Sequence, residues 1–276
     1  MGVAEDGSFA GSLSGGCIEN AVVSEALSAL KEGRPRIVRF GAGSPYIDIK
    51  LPCGGGLDVH FAPLIDNDVA AACLETMRGR TPFSIRVGRD GAEHISEWRA
   101  PAFDPQTGEG VFGHWPAPGL QIIGHGAGVE ALARLGRVMG CWTSVLTPDD
   151  RLIIQLAEER INAEKLERAA QTHLITSDPW TAFVFLFHDH DWETELMVRA
   201  LDLPHFYIGA MGGRKAHAVR TEALLARGIS QEQIASIRAP IGVFHSSRDP
   251  QTLALSTLAE VIRAYQDTDF ETALAG

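Results

Sequence analysis

The sequence predicts an α/β protein with a Rossmann-like, doubly wound parallel sheet in its C-terminal part, preceded by a smaller α+β domain. Its 276 residues are enough for two ordinary domains. Short, nearly continuous apolar runs in the second half are typical of parallel strands that are buried on both faces. A glycine-rich turn leads from the first of these runs into a helix. We expect the α+β domain over residues 1–97, a linker over 98–119 and the Rossmann-like domain over 120–276.

In the first half, turn signals and apolar periodicity define each element. Glu5–Gly7 is predicted to be a tight turn between short strands, and the apolar stripe from Ile18 to Leu30 a helix that stops at Gly33. The remaining predictions are strands over 47–51 and 57–61, a helix over 67–78 and a hairpin turn at 89–91.

Residues 98–119 are rich in proline and glycine and show no sustained period, which favours a linker. The elements predicted after it alternate between strand and helix. Strands are expected at 121–123, 142–146, 173–176, 181–187 and 206–208, a helix from Val129 to Met139, a helix through Leu201, and a last helix opened by Asp249-Pro250.

Composition and charge exclude several classes of function. The chain has 24 Lys and Arg against 35 Asp and Glu, a net charge of −11. Because phosphate affinity is built from clustered cations, we expect no nucleic acid and no anionic membrane as partner. No apolar run reaches membrane-spanning length. The four cysteines are widely spaced, which indicates reduced thiols in the cytoplasm.

Two glycine–cysteine elements stand out in the first half. A cysteine on the first turn of a helix feels the positive end of its dipole, which stabilises the thiolate. The glycines serve either ligand approach or turn geometry alone, and the cysteines are either a functional thiol pair or small apolar fillers. The candidate residues are Ser14, Gly15, Gly16, Cys17 and Glu19 in the first element and Cys53, Gly54 and Gly55 in the second.

The turn from Gly124 to Val129 lies between a strand and a helix, where backbone amides can hold a phosphate. Its candidate residues are Gly124, Gly126 and Gly128. Val129 takes the place of the third fingerprint glycine, and Asp149 comes late for a ribose ligand. Three interpretations of this turn remain open: it binds NAD(P), it binds another phosphate ligand, or it is a tight turn that binds nothing.

A second glycine turn carries cations. Gly212, Gly213, Arg214 and Lys215 follow a predicted strand and open a helix, which favours an anion site at the carboxyl edge of the sheet. His188 follows the most apolar strand at the same edge and is a further candidate. No metal site is predicted.

The chain resembles the XdhC/CoxI family, the accessory proteins of xanthine dehydrogenase and related molybdenum hydroxylases. The resemblance is carried by GSLSGGCIEN from Gly11, LPCGGGLDV from Leu51, TAFVFLFHDHDWE from Thr181 and YIGAMGGRKAHAVRTEALLARG from Tyr207. API-G from Ala239 and DPQTLALSTLAEVI from Asp249 complete it. The pattern normally has an upstream segment of several dozen residues, so the resemblance implies an N-terminally shortened member.

The resemblance implies a maturation factor more than a turnover enzyme. Such a protein binds molybdenum cofactor, shields it while a sulfurtransferase installs the terminal sulfur, and delivers it to a xanthine dehydrogenase-like client. Its thiols, Cys17 and Cys53, would face the molybdenum end in a cleft between the halves, and the glycine turns would hold the phosphate. We expect a homodimer, because the shortened domain leaves sheet edge or apolar surface to cover. The alternatives are an NAD(P)-dependent oxidoreductase and a structural scaffold.

Overall fold

The chain was analysed as a computed structural model, which describes residues 1–16, 18–44, 46, 51, 54–64, 67–187, 192–244, 247 and 249–275. The chain divides into two compact units, Met1–Pro116 and Ala117–Gly276. Each unit has its own sheets and its own apolar clusters.

The first unit begins with a hairpin and a helix. Strands β1 (Gly2–Val3) and β2 (Phe9–Ala10) pair antiparallel, so the predicted turn at residues 5–7 is confirmed. Helix α1 (Glu19–Glu32) ends at Gly33, whose φ of 62° is the left-handed conformation that glycine tolerates. Strands β3 (Arg36–Gly41) and β4 (Gly56–Phe61) form an antiparallel pair.

The rest of this unit is a helix and a four-stranded antiparallel sheet. Its elements are α2 (Asp68–Arg78), β5 (Phe83–Gly88), β6 (Gly91–Ile95), β7 (Ala102–Asp104) and β8 (Glu109–His114), in the strand order β6-β5-β8-β7. Residues 98–119, which we expected to be a linker, therefore contain two strands of this sheet. The proline and glycine residues there stand mainly at strand ends and turns, where they are compatible with an exposed sheet.

The second unit contains a five-stranded parallel sheet with the strand order β11-β10-β9-β12-β13. In chain order its elements are β9 (Gly119–Gly124), α3 (Ala127–Val138), β10 (Trp142–Thr147), α4 (Asp150–Glu158), β11 (Asn162–Lys165), β12 (Thr181–Leu186), α5 (Glu193–Leu201), β13 (Tyr207–Ala210), α6 (Arg214–Ala226), α7 (Gln231–Ser236), α8 (Pro250–Asp267) and α9 (Phe270–Ala275). Counted within this unit, the strand order is 3-2-1-4-5, the Rossmann order.

Helices cover both faces of this sheet. Ile122 in β9 packs in a cluster with residues of α3, α4 and α8, whereas the neighbouring Ile123 packs in a cluster with residues of α5, α6 and α7. Every residue of β9 and β12 is buried. The predicted doubly wound α/β fold is therefore confirmed.

Two details of this sheet differ from the sequence-based expectation. The third strand is Asn162–Lys165, a polar edge strand without an apolar signal. The expected strand at 173–176 is wrong, because Thr172–Leu174 form a 3-10 turn. Within the described residues, no helix is both long and apolar enough to span a bilayer.

Candidate functional site

At the centre of the parallel sheet, the chain leaves two neighbouring strands in opposite directions. β9 and β12 are neighbours whose following helices lie on opposite faces, so their carboxyl ends form the topological switch point where such sheets bind ligands. Gly124 pairs with Leu186 in this ladder. A Cβ at Gly124 would lie 2.5 Å from the Leu186 carbonyl oxygen, so the approach of the two strands requires glycine there.

The turn after β9 has two further glycines with different roles. Gly126 has φ 86° and open space around the position of a Cβ, so its backbone is free to face a ligand. A Cβ at Gly128 would lie 3.2 Å from Leu253 Cδ2 of α8, so this glycine serves the packing of two helices. Val129, at the place of the third fingerprint glycine, is fully buried in the apolar cluster.

The position of a ribose ligand, at the end of the second strand of the unit, is occupied by Thr147, which is fully buried. Asp149 is the N-cap of α4, and its carboxylate accepts hydrogen bonds from the amides of Arg151 and Leu152. The first acidic side chain after β10 is therefore engaged in capping, which weakens the case for NAD in particular.

The basic turn lies at the same edge, after β13. Gly212 has φ 119°, and Gly213 is the N-cap of α6 in extended backbone without a side-chain cap. Gly213, Arg214 and Lys215 are exposed. The first-turn amides of a helix have no intrahelical acceptor, so this end of α6 combines amide donors with two cations. The arrangement fits an anionic group such as a phosphate.

In the first unit, one carboxylate organises the first glycine–cysteine element. Glu19 is 6% exposed. Its two oxygens accept six hydrogen bonds of 2.7–3.1 Å from residues 12–18, donated by the amides of Leu13, Ser14, Gly16 and Ile18 and by the hydroxyls of Ser12 and Ser14. The Ser14 amide and the Ser12 hydroxyl hold the pKa of the Glu19 carboxyl well below its usual range.

The consequence is a preformed loop. Gly15 and Gly16 both adopt left-handed φ values, 70° and 109°, which turn the amides toward the carboxylate. The amides of Gly16 and Ile18, on either side of Cys17 in the sequence, both bind Glu19 Oε2. Glu19 was predicted to be a binding residue, and the described contacts give it a positioning role within its own loop.

Of the second glycine–cysteine element, the structure describes Leu51 and the residues from Gly54 onward. Gly54 has φ 69° and its amide donates to Leu51 O, while Gly55 O accepts from the Ala42 amide after β3. Leu51 packs against the apolar cluster to which Ile18 belongs. Ile18, next to Cys17 in the sequence, and Leu51, two residues before Cys53, therefore contact the same cluster.

Three predicted site residues, Cys17, Cys53 and His188, lie outside the described residues, as do residues 47–50 of a predicted strand. A groove of about 410 Å³ in the first unit, lined among others by Arg36, His60 and Arg89, contains none of the predicted site residues.

One buried ion pair near the site was not predicted from the sequence. The Arg220 guanidinium of α6 and the Glu193 carboxylate at the start of α5 form an ion pair of 3.0 Å. Arg220 stands four residues before the buried Leu224, on the same face of the helix. A cation within a buried stripe is the signal that could have identified it.

Two family profiles match the chain, one within each unit. The profile of the XdhC Rossmann domain matches residues 120–261, and that of the XdhC and CoxI family matches residues 1–41. A crystal structure from Bacillus halodurans, described as a xanthine dehydrogenase, superposes with a TM-score of 0.75 at 19% identity and covers 97% of this chain and 88% of that one. At this identity the likeness concerns the fold.

Two Escherichia coli proteins match along the sequence. The molybdenum cofactor insertion chaperone PaoD is 33% identical over 98% of this chain and 79% of its own length. YqeB is 23% identical over 95% of this chain and 40% of its own length. The match with PaoD extends over both units, and the two family profiles fall one in each. The chain therefore belongs to the XdhC and CoxI family.

Proposed function

We propose that this protein binds molybdenum cofactor and hands it to a molybdenum hydroxylase of the xanthine dehydrogenase type. The observation that carries the proposal is the similarity to PaoD, a molybdenum cofactor insertion chaperone, over 98% of the chain. The exposed glycine turn with Arg214 and Lys215 adds a chemical reason, since the pterin carries a phosphate.

The cargo has two chemically different ends, and the chain offers a group for each. The phosphate suits the amides and cations at the start of α6 and the turn after β9. The sulfur-rich molybdenum end suits soft ligands, for which we propose Cys17 and Cys53. Glu19 fixes the backbone amides that flank Cys17 in the sequence, which prepares this loop before cargo arrives.

The remaining parts of the proposal concern partners. A sulfurtransferase supplies the terminal sulfur while the cofactor is bound, and the client then competes for it. We propose that the protein works in the cytoplasm as a homodimer, and that it releases its cargo without chemical turnover.

Cofactor retention tests this proposal directly. The full chain, purified without oxygen, is mixed with molybdenum cofactor released from a donor molybdoenzyme, and the retained pterin is measured by fluorescence after gel filtration. We expect near-stoichiometric retention by the wild type and loss in Cys17→Ala, with the circular dichroism spectrum unchanged. Cys73→Ala, in α2, is the matched control and should retain the cargo.

Two results would count against the proposal. The first is no retained pterin together with a client that matures equally well without this protein. The second is tight NADH binding with turnover of a small carbonyl compound, as expected for an NAD(P)-dependent oxidoreductase. That alternative has the Rossmann strand order in its favour, and the buried Thr147 and the capping role of Asp149 against it. Unchanged retention in Cys17→Ala would remove that thiol from the site.

A further inference from the structure

A buried ion pair lies directly behind the basic glycine turn. The side chains of Arg220 and Glu193 are each only 2% exposed, and Arg220 Nη2 lies 3.0 Å from Glu193 Oε1. The same nitrogen donates a hydrogen bond of 2.8 Å to the carbonyl oxygen of Met211. One guanidinium nitrogen therefore joins a side chain of α5 to the backbone after β13.

The two groups that Arg220 joins lie in segments that follow neighbouring strands of the sheet. Glu193 is the first residue of α5, the helix that follows β12, and Met211 is the first residue after β13. The Met211 amide also donates to Phe185 O of β12, at 2.9 Å. Gly212 comes next, and a Cβ there would lie 2.7 Å from Ala216 Cβ and 3.9 Å from Arg220 Nη2. The glycine turn thus begins directly after the carbonyl group that Arg220 binds.

Stability alone does not explain this pair. Desolvation offsets most of the attraction in a buried ion pair, and apolar residues of similar volume often stabilise a fold as well or better. In addition, Arg220 Nε and Nη1 and His217 Nδ1 are buried without a hydrogen-bond partner among the described residues, which is unfavourable. Such a pair can, however, fix the conformation of the backbone that it contacts.

We propose that Arg220, held by Glu193, is a positioning residue that fixes the Gly212-Gly213 turn in the conformation that receives an anion. The inference rests on the proposed function only for the identity of that anion, the cofactor phosphate. We call the two contacts of Arg220, with the Glu193 carboxylate and with Met211 O, the bracket. The bracket does not depend on the cargo.

The chain contains a matched control for this pair. Arg227, the C-cap residue of α6, and Glu195 of α5 also form an ion pair, but both side chains are more than 40% exposed. An exposed pair of this kind contributes little to stability. Arg227→Lys and Glu195→Gln therefore repeat the chemistry of Arg220→Lys and Glu193→Gln at an exposed pair, away from the contacts of Arg220 with Glu193 and Met211.

The test compares amide hydrogen exchange in the full chain without any ligand. In Glu193→Gln and Arg220→Lys we expect exchange at residues 209–213 to become at least about tenfold faster, while the interiors of α5 and α6 keep their protection. Glu193→Ala should have a larger effect than Glu193→Gln, because the amide oxygen of glutamine still accepts a hydrogen bond. The Arg227 and Glu195 variants should exchange as the wild type does.

Retention of molybdenum cofactor is the second measurement. We expect about tenfold weaker retention in Glu193→Gln and Arg220→Lys and no change in the controls. Unchanged exchange at residues 209–213 would overturn the bracket, and so would a uniform increase over the whole of α5 and α6, which indicates general destabilisation. Faster exchange in the turn together with a wild type that binds no cofactor would support the bracket and refute the proposed function.

Discussion

Gly124→Ala tests the close approach of β9 and β12 at the switch point. The added methyl group would lie 2.5 Å from the Leu186 carbonyl oxygen and 2.7 Å from its carbon, about 1 Å inside the usual contact distance of ~3.5 Å. Neither atom belongs to a flexible side chain, so the two buried strands must separate locally. Overpacking of this kind costs about 1–3 kcal/mol, and a weakened ladder hydrogen bond adds about 1 kcal/mol.

The total, about 2–4 kcal/mol, corresponds to a fall of roughly 5–15 °C in the melting temperature of a unit of this size. Differential scanning calorimetry measures this fall in melting temperature. Gly213→Ala is the control, since a Cβ there meets no atom within 4 Å and φ is −75°. Its melting temperature should stay close to that of the wild type, because the lower backbone entropy of the unfolded chain offsets the poorer N-cap. A Gly124→Ala protein that melts within about 2 °C of the wild type would refute the reasoning.

Three further predictions concern the turns and their ionisable groups. Gly213→Ala should retain less molybdenum cofactor than the wild type at equal stability, because a methyl group stands where the phosphate approaches; equal retention would contradict this. Burial, with Arg220 nearby, lowers the pKa of His217, so the unfolded chain takes up the proton first and stability should decline as the pH falls below about 6.5. Thermal melts of His217→Gln should show a weaker decline. The pKa of Glu19 is also lowered, so its contribution to stability is present above about 4.5 and is lost as the pH falls toward the folded value. Glu19→Gln should speed amide exchange over residues 12–18, and the exposed Glu5→Gln should not.

The sequence predicts the parallel sheet well because its strands are buried on both faces. β9, β12 and β13 are mostly apolar and buried throughout, β10 is buried over its second half, and each was located to within a few residues. The edge strand Asn162–Lys165 has no such signal, since its order comes from pairing with β10. Residues 98–119 show the same limit, because strands β7 and β8 depend on partners elsewhere in the sheet.

Some features of the candidate site could likewise be predicted from the sequence, and others could not. Glycine turns that follow strands are visible in the sequence, so the turns after β9 and β13 could be predicted. The contact between Glu193 and Arg220 joins residues on different helices, and no local pattern specifies it. The role of Glu19 lies within one loop, yet its six donors follow from the left-handed backbone of Gly15 and Gly16, which a one-dimensional pattern does not fix.

The packing of α3 on α8 has a consequence for biosynthesis. Val129 and Leu132 of α3 share a cluster with Ala254, Leu258 and Val261 of α8, and Gly128 approaches Leu253 of the same helix. A nascent polypeptide still attached to the ribosome before residues 250–267 have emerged leaves that face of α3 exposed to water. The turn after β9 acquires its full support only once α8 has been translated, so we expect any ligand binding at that turn to follow synthesis of that helix.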